Sequence, residues 1–242
     1  MRKFKFIDHI VFENDNYLAI NKPAGVSSLH ERLGKANSVI EQAKKYHEDL
    51  QLCHRLDKET SGVLLISKHA KAYSHAAVSF EKRLVSKVYH AVSDGVHSFK
   101  EVEVKLPLIT TRSGRSAINS QKGKPSVTIF NTIENFDHFS LISCKPVTGR
   151  QHQIRIHLAS QQASIAADEI YGGKMPYLSK FKRNFSFNKN DEERPMIARF
   201  ALHAYSLEFK DMKGNPLEII ADYPKDMAVF IKQLRKFDKS KF

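Results

Sequence analysis

The sequence predicts a mixed α+β fold: a largely antiparallel central sheet with flanking helices. Three observations carry that expectation. Apolar, β-branched runs recur along the 242 residues. Only a few stretches show helical periodicity, and they do not alternate strictly with the strand-like runs. Most connections between runs are short. With 41% hydrophobic residues, 16 of them phenylalanine, a chain of this length can bury a substantial core.

In chain order, "HIVFEND" and "YLAINKP" read as a first pair of strands, turned by Asn14, Asp15 and Asn16 and stopped by Pro23. Ser38, or Asn37, can cap a helix over "VIEQAKKYH". "GVLLISK" is a compact apolar run suited to a buried strand. "AKAYSHAAVSFEKR" then places Ala72, Ala76, Phe80 and Leu84 in helical register. The later strands are "KVYHAVS", "SVTIFNTIENF", "HFSLISCKPV", "LHAYSLEFK" and "LEIIADYP". The "KGNP" turn precedes the last of them, and a helix "KDMAVFIKQLRK" closes the chain. No repeat or long linker divides it.

Two stretches read as excursions. Residues 105–124 carry Lys105, Arg112, Arg115, Lys122 and Lys124 with no acid, and their Gly, Ser and Thr content suits a mobile loop. Residues 174–194 interleave Lys180, Lys182, Arg183 and Lys189 with Tyr177, Phe181, Phe185 and Phe187. That is the pattern of an RNA-contacting surface, with cations for phosphates and rings for stacking; the alternative is an insertion whose rings tuck against the body.

Charge narrows the partner. Against 26 acids stand 39 Lys and Arg, a formal net charge of +13, and a field of that sign attracts polyanions, nucleic acid first. The two cysteines, Cys53 and Cys144, lie in strand-like runs and read as reduced, buried thiols in a cytoplasmic protein. No apolar run reaches the roughly 20 residues that span a bilayer, and no signal peptide opens the chain. No membrane partner is expected.

Among the residues that could carry chemistry, Asp57 leads. In "CHRLDKETSG" it precedes a tight turn into a buried strand, an element edge where a scaffold can present a reactive carboxylate. Half buried, such an acid needs a cation to stay ionised. Candidates lie in "TGRQHQIRIHLAS", residues 148–160. There Ile154 and Leu158 read as the body-facing side of a short helix, with Arg150, Gln151, His152 and Arg155 near its N-terminal half. The plainer reading is an Arg–Asp pair that only fixes two elements. His152 and His157 are five apart with no acid at H-E-x-x-H spacing, so no metal is expected. Ser61 lacks a G-x-S-x-G elbow and is expected to hydrogen-bond within its turn. "GGK" lacks the spacing of a P-loop.

Taken in order, "NKPAGV", "HRLDKETSG", "KVYHAV", "GKPSVT", "TGRQHQIRIHLA", "DEIYGG" and "LHAYSLEF" resemble the successive blocks of the pseudouridine synthases of the ribosomal large-subunit synthase A family. The resemblance spans nearly the whole chain. It implies a single catalytic domain over residues 1–242, an active-site cleft between two subdomains, no cofactor and no metal. By position it implies Asp57 as the catalytic aspartate, Tyr89 as the tyrosine beside the target base and Arg155 as the basic residue paired with the aspartate. Arg55, in the same block as Asp57, would help displace the base or bind backbone. Arg150, His152, Arg112, Arg115, Lys122 and Lys124 are the expected RNA-binding residues. The expected enzyme is a cytoplasmic monomer acting on large-subunit ribosomal RNA; the alternatives are a transfer-RNA synthase and a non-catalytic RNA-binding or ribosome-assembly protein that retains the fold. The enzyme's carboxylate would either attack C1′ of the sugar or remove the C2′ proton. Two departures from the resemblance stand out: Ala167 precedes Asp168 where members of that family often carry glycine, and no N-terminal S4-type domain is expected.

Overall fold

The computed structural model describes residues 4–30, 38–111, 114–182, 185 and 192–238. It divides into two compact units, Met1–Tyr89 with His203–Asp222, and His90–Leu202 with Tyr223–Phe242. In chain order the main elements are β1 (Ile10–Glu13), β2 (Tyr17–Lys22), α1 (Val39–Tyr46), β3 (Gln51–Leu52), β4 (Ser61–Ser67), α2 (Ala70–Glu81), β5 (Ser86–Asp94), β6 (Val102–Lys105), β7 (Leu108–Thr110), β8 (Ser116–Ile118), β9 (Val127–Asn135), β10 (Phe139–Pro146), α3 (Gln153–Ser160), β11 (Leu202–Lys210), β12 (Pro216–Ile220) and α4 (Lys225–Phe237). The fold is mixed α+β and its strand pairs are largely antiparallel, as expected.

In the first unit the strand order is β1-β2-β4-β11, with β3 on β4 and β12 on β11. β2 and β4 pair antiparallel from Tyr17 opposite Ser67 to Lys22 opposite Gly62. Both read as continuous apolar runs because both faces are covered. Leu18, Ile20, Leu64 and Ile66 meet Val39 and Ala43 of α1 on one face, and Tyr17, Ala19, Val63 and Leu65 meet Ala72 and Ala76 of α2 on the other. Ser38 caps α1 in a full capping box with Glu41. α2 stops earlier than its apolar register suggests. Arg83 turns left-handed (φ 59°) and the Leu84 amide bonds back to the Ser79 carbonyl at 2.8 Å, so Leu84 leaves the buried face and is 65% exposed.

In the second unit the order is β5-β10-β9-β6, and α4 seats Met227, Phe230, Ile231 and Leu234 in the core, with Phe230 edge-on to Phe139 at 5.7 Å. Within the stretch 105–124 a hairpin forms: β7 and β8 pair antiparallel, and Lys124 and Leu108 exchange backbone bonds of 2.8 and 3.0 Å. Backbone packs so closely there that a side chain on Gly123 would meet the Asn119 carbonyl at 2.3 Å. Of the aromatic insertion, Phe181 tucks against Phe139 and His138. Arg112, Arg183, Phe187 and Lys189 lie outside the described residues. Among the described residues no helix is long and apolar enough to cross a membrane.

Candidate active site

The segment that carries Asp57 is held from both sides by the loop after β2. The Ser28 hydroxyl donates to the Leu56 carbonyl at 2.8 Å and accepts from the Leu56 amide at 3.0 Å, so one side chain pairs both backbone groups of Leu56. On the other side, the fully buried Lys22 donates to the carbonyls of Pro23, Val26 and Lys58 at 3.0, 2.9 and 3.0 Å, and the Gly25 amide also reaches Lys58 at 2.9 Å. A buried ammonium is tolerated because each of its three donors has a carbonyl. The Thr60 amide closes a turn on the Asp57 carbonyl at 3.1 Å. The "NKPAGV" block and Ser28 just after it thus fix the backbone on either side of Asp57, whose side chain stays half-buried while Arg55 is exposed.

Tyr89 packs against the core cluster that contains Leu56. Burial, and then the charge of Asp57, push its phenol well above the ordinary range, so it is a neutral phenol at any physiological pH. His54 serves structure: its Nε2 accepts from the Leu65 amide at 3.0 Å, and burial, followed by the charge of Lys87, lowers its pKa to about 3. Cys53 beside it is pushed up to about 12 by burial, an unreactive thiol.

The turn ends on Ser61, whose hydroxyl reaches across to β11. Ser61 Oγ lies 2.9 Å from His203 Nδ1 on β11, and His203 Nε2 must donate to the Ala221 carbonyl at 2.9 Å, leaving Nδ1 to accept the Ser61 proton. Both side chains are fully buried, which removes them from contact with any substrate. The next residue, Gly62 (φ 115°), lies against β11 where a Cβ would sit 2.1 Å from the Ala204 carbonyl, so the glycine of the block answers a close approach of two strands.

The second cluster, in the second unit, is buried more deeply than its amphipathic reading suggests. All of residues 153–158 are buried, and their polar groups are satisfied inside the unit. Gln153 Oε1 accepts from the Thr148 hydroxyl (2.7 Å) and the Arg150 amide (3.0 Å), while its Nε2 donates to Val127 O and Thr128 Oγ1, both at 2.9 Å. His157 Nε2 donates to the Leu106 carbonyl at 3.1 Å, so Nδ1 accepts from the Thr128 hydroxyl at 2.9 Å; burial keeps this imidazole neutral by lowering its pKa. The "GKPSVT" and "HQIRIH" blocks are therefore two halves of one polar network.

Arg155 is the principal correction. It was expected to serve Asp57, but Nε and Nη2 grip the two oxygens of Asp168 at 2.7 Å each, with both side chains almost fully buried. Its guanidinium also lies over the rings of Phe200 (4.2 Å) and Tyr171 (4.8 Å). The loop that delivers Asp168 turns at Ala167, whose φ of 62° is left-handed. A left-handed φ favours glycine, and alanine carries strain there of roughly 1–2 kcal/mol. Sequence reasoning noted the departure at Ala167 but had no signal for the Arg155–Asp168 pairing.

His152, expected to bind substrate, begins α3 with φ 54° and its Nδ1 lies 2.8 Å from the Tyr171 hydroxyl. Arg150, Arg115, Lys122 and Lys124, expected to bind RNA, are exposed. Among the described residues no group of three His, Cys, Asp or Glu is placed to hold a metal ion.

These features match known proteins. Residues 16–160 fit the family model described as RNA pseudouridylate synthase. The chain is 32% identical to an uncharacterized RNA pseudouridine synthase of Chlorobaculum parvum over 93% of its own length and 74% of the relative's. It is 34% identical to ribosomal large subunit pseudouridine synthase C of Pasteurella multocida (94% and 68% covered), and 32% identical to the dual-specificity RNA pseudouridine synthase RluA of Vibrio parahaemolyticus (87% and 81%). The solved structure of human RNA pseudouridylate synthase domain containing 4 superposes with a TM-score of 0.71 at 22% identity, covering 95% of this chain and 94% of that one, which is a likeness of fold. With the motif blocks in order and the relatives matched along almost its whole length, the chain belongs to the RNA pseudouridylate synthase family, in its ribosomal large-subunit synthase A group.

Proposed function

We propose that this protein isomerises specific uridines of ribosomal large-subunit RNA to pseudouridine, with Asp57 as the group that acts on the ribose. The observation that carries this reading is the double clamp on Asp57: Ser28 on one side and Lys22 with Gly25 on the other fix the backbone while the carboxylate stays half-exposed, its charge felt by Tyr89. A rigidly presented carboxylate beside a neutral aromatic phenol suits a flipped nucleotide, with the base on the ring and the sugar at the acid.

The reaction breaks the N1–C1′ bond, and its electron pair leaves with the uracil. Asp57 either bonds to C1′ or takes the C2′ proton, which it later returns. The uracil turns, C5 bonds to C1′, the C5 proton is released and N1 is protonated, so the net change is an isomerisation. Tyr89, as a neutral phenol, stacks on the base and is no base itself. Arg155 occupies the position of the family's basic residue. Its grip on Asp168 supports a role in holding its own unit together. Arg55, Arg150, Arg115, Lys122 and Lys124 supply phosphate contacts that offset the few kcal/mol needed to extrude a base. The same reading makes the enzyme a cytoplasmic monomer without cofactor or metal.

The test is to map pseudouridines across cellular RNA with and without the gene. Loss of a large-subunit ribosomal site, restored by the wild-type gene and not by Asp57→Asn, is expected. No lost site, or full restoration by Asp57→Asn, overturns the proposal. A lost transfer-RNA site would favour the substrate range printed for the Vibrio parahaemolyticus relative.

A further inference from the structure

Lys87 stands two residues before Tyr89 on β5. Side chains two apart on a strand line one face with Cα atoms about 7 Å apart, the order of the distance between a nucleotide's base and its own phosphate. The ammonium lies 5.8 Å from the centre of the Phe80 ring, and its charge acts on the imidazole of His54, which is neutral. Among the described residues it has no ion pair and no side-chain hydrogen bond. Burial lowers its pKa and no carboxylate raises it.

This environment does not compensate the charge. A cation over a phenyl ring near the 6 Å limit is held only weakly, and that attraction is smaller than the cost of desolvating an ammonium. Lys22, a fully buried lysine of this unit, shows what a structural ammonium looks like, with three carbonyls around it. Lys87 has none of these and keeps partial access to solvent. An anion arriving from outside would supply the missing partner, and lysine suits phosphate as a compact point charge.

We propose that Lys87 anchors a phosphate flanking the uridine whose base rests on Tyr89, so that β5 holds the base and the backbone of one nucleotide with alternate side chains. The inference rests on the function proposed above and deepens it. It places a specific cation at the target nucleotide, separate from the exposed basic residues of the β7–β8 hairpin.

The experiment uses the full chain and a short RNA carrying the mapped uridine. The RNA is made with an ordinary backbone and with a single uncharged methylphosphonate at each flanking phosphate in turn. Lys87→Met is expected to raise Kd and KM about tenfold, to leave kcat within about twofold and to reduce the salt slope of log Kd by about 0.7–0.9. Because it removes an uncompensated charge, it should melt no lower than wild type, and Lys87→Arg should keep the slope. One methylphosphonate should weaken wild type by the same factor and leave Lys87→Met unaffected. Wild-type Kd and slope in Lys87→Met, equal losses from both methylphosphonates in both proteins, or a lowered Tm with Lys87→Arg equally impaired would each overturn the proposal. Should the wild type bind this RNA and form no pseudouridine, the function reading falls while the phosphate arm still reads on Lys87.

Discussion

Arg155 and Asp168 form a two-pronged ion pair, 2.7 Å at each prong, with almost no solvent access and with the rings of Phe200 and Tyr171 over the guanidinium. A pair desolvated to this extent is worth little over a well-packed apolar pair, but is expensive to break from one side. Asp168→Ala is therefore expected to cost about 3–5 kcal/mol by stranding the arginine. The double variant Arg155→Met with Asp168→Leu should cost markedly less than Asp168→Ala alone. Urea unfolding of the three proteins checks this, and a double variant at least as destabilised as Asp168→Ala would overturn it.

Ala167 makes the opposite prediction. Its φ of 62° suits glycine, and Ala167→Gly relieves strain of roughly 1–2 kcal/mol while adding about 0.4–1 kcal/mol of unfolded-chain entropy. The net expectation is a gain of about 0.5–1 kcal/mol, or a rise in Tm of a few degrees. A fall in Tm would mean that the alanine methyl, buried in this loop, packs better than its backbone is strained.

His54 ties stability to acid. Its folded pKa is about 3 against an ordinary 6.5, so below pH 6.5 the unfolded chain binds a proton that the folded one refuses. The stability it contributes is complete above pH 6.5 and declines by about 1.4 kcal/mol per pH unit as pH falls towards 3. Unfolding free energies of wild type and His54→Asn at pH 7 and pH 5 should therefore converge by about 2 kcal/mol at the lower pH. Parallel pH curves would show that the imidazole is protonated in the fold.

Lys22→Met tests the clamp on Asp57. It removes the ammonium from the carbonyls of Pro23, Val26 and Lys58, at a cost of about 2–4 kcal/mol. The local consequence is the telling one. Hydrogen exchange at the Gly25 and Thr60 amides should speed up more than at Leu64 or Leu65 in the sheet centre, with kcat falling more than KM rises. Uniform loss of protection would assign Lys22 to global stability alone.

Much of the fold was legible because its determinants are local. Ser38 with Glu41, the apolar runs of β2 and β4, the spacing of Met227, Phe230, Ile231 and Leu234, and the turn before β12 each announce their element within a few residues. The error at Leu84 has the same origin: apolar periodicity continues past the point where Arg83 turns left-handed, and no residue type there signals the stop. The hairpin within 105–124 was not legible because it is held by backbone bonds and close packing at Gly123, which composition does not record.

For the site, the sequence by itself determined that a carboxylate, Asp57, would sit at the edge of a buried strand in a strongly basic chain, and its blocks in order determined the family. Only the tertiary structure decided what each block does. Ser28 and Lys22 clamp Asp57, His54 and Ser61 are spent on structure, and Arg155 answers to Asp168. The reason is physical. A polar side chain has the same chemistry exposed or buried, and which partner satisfies it depends on groups brought together from as far apart as Ser61 and His203, 142 positions along the chain.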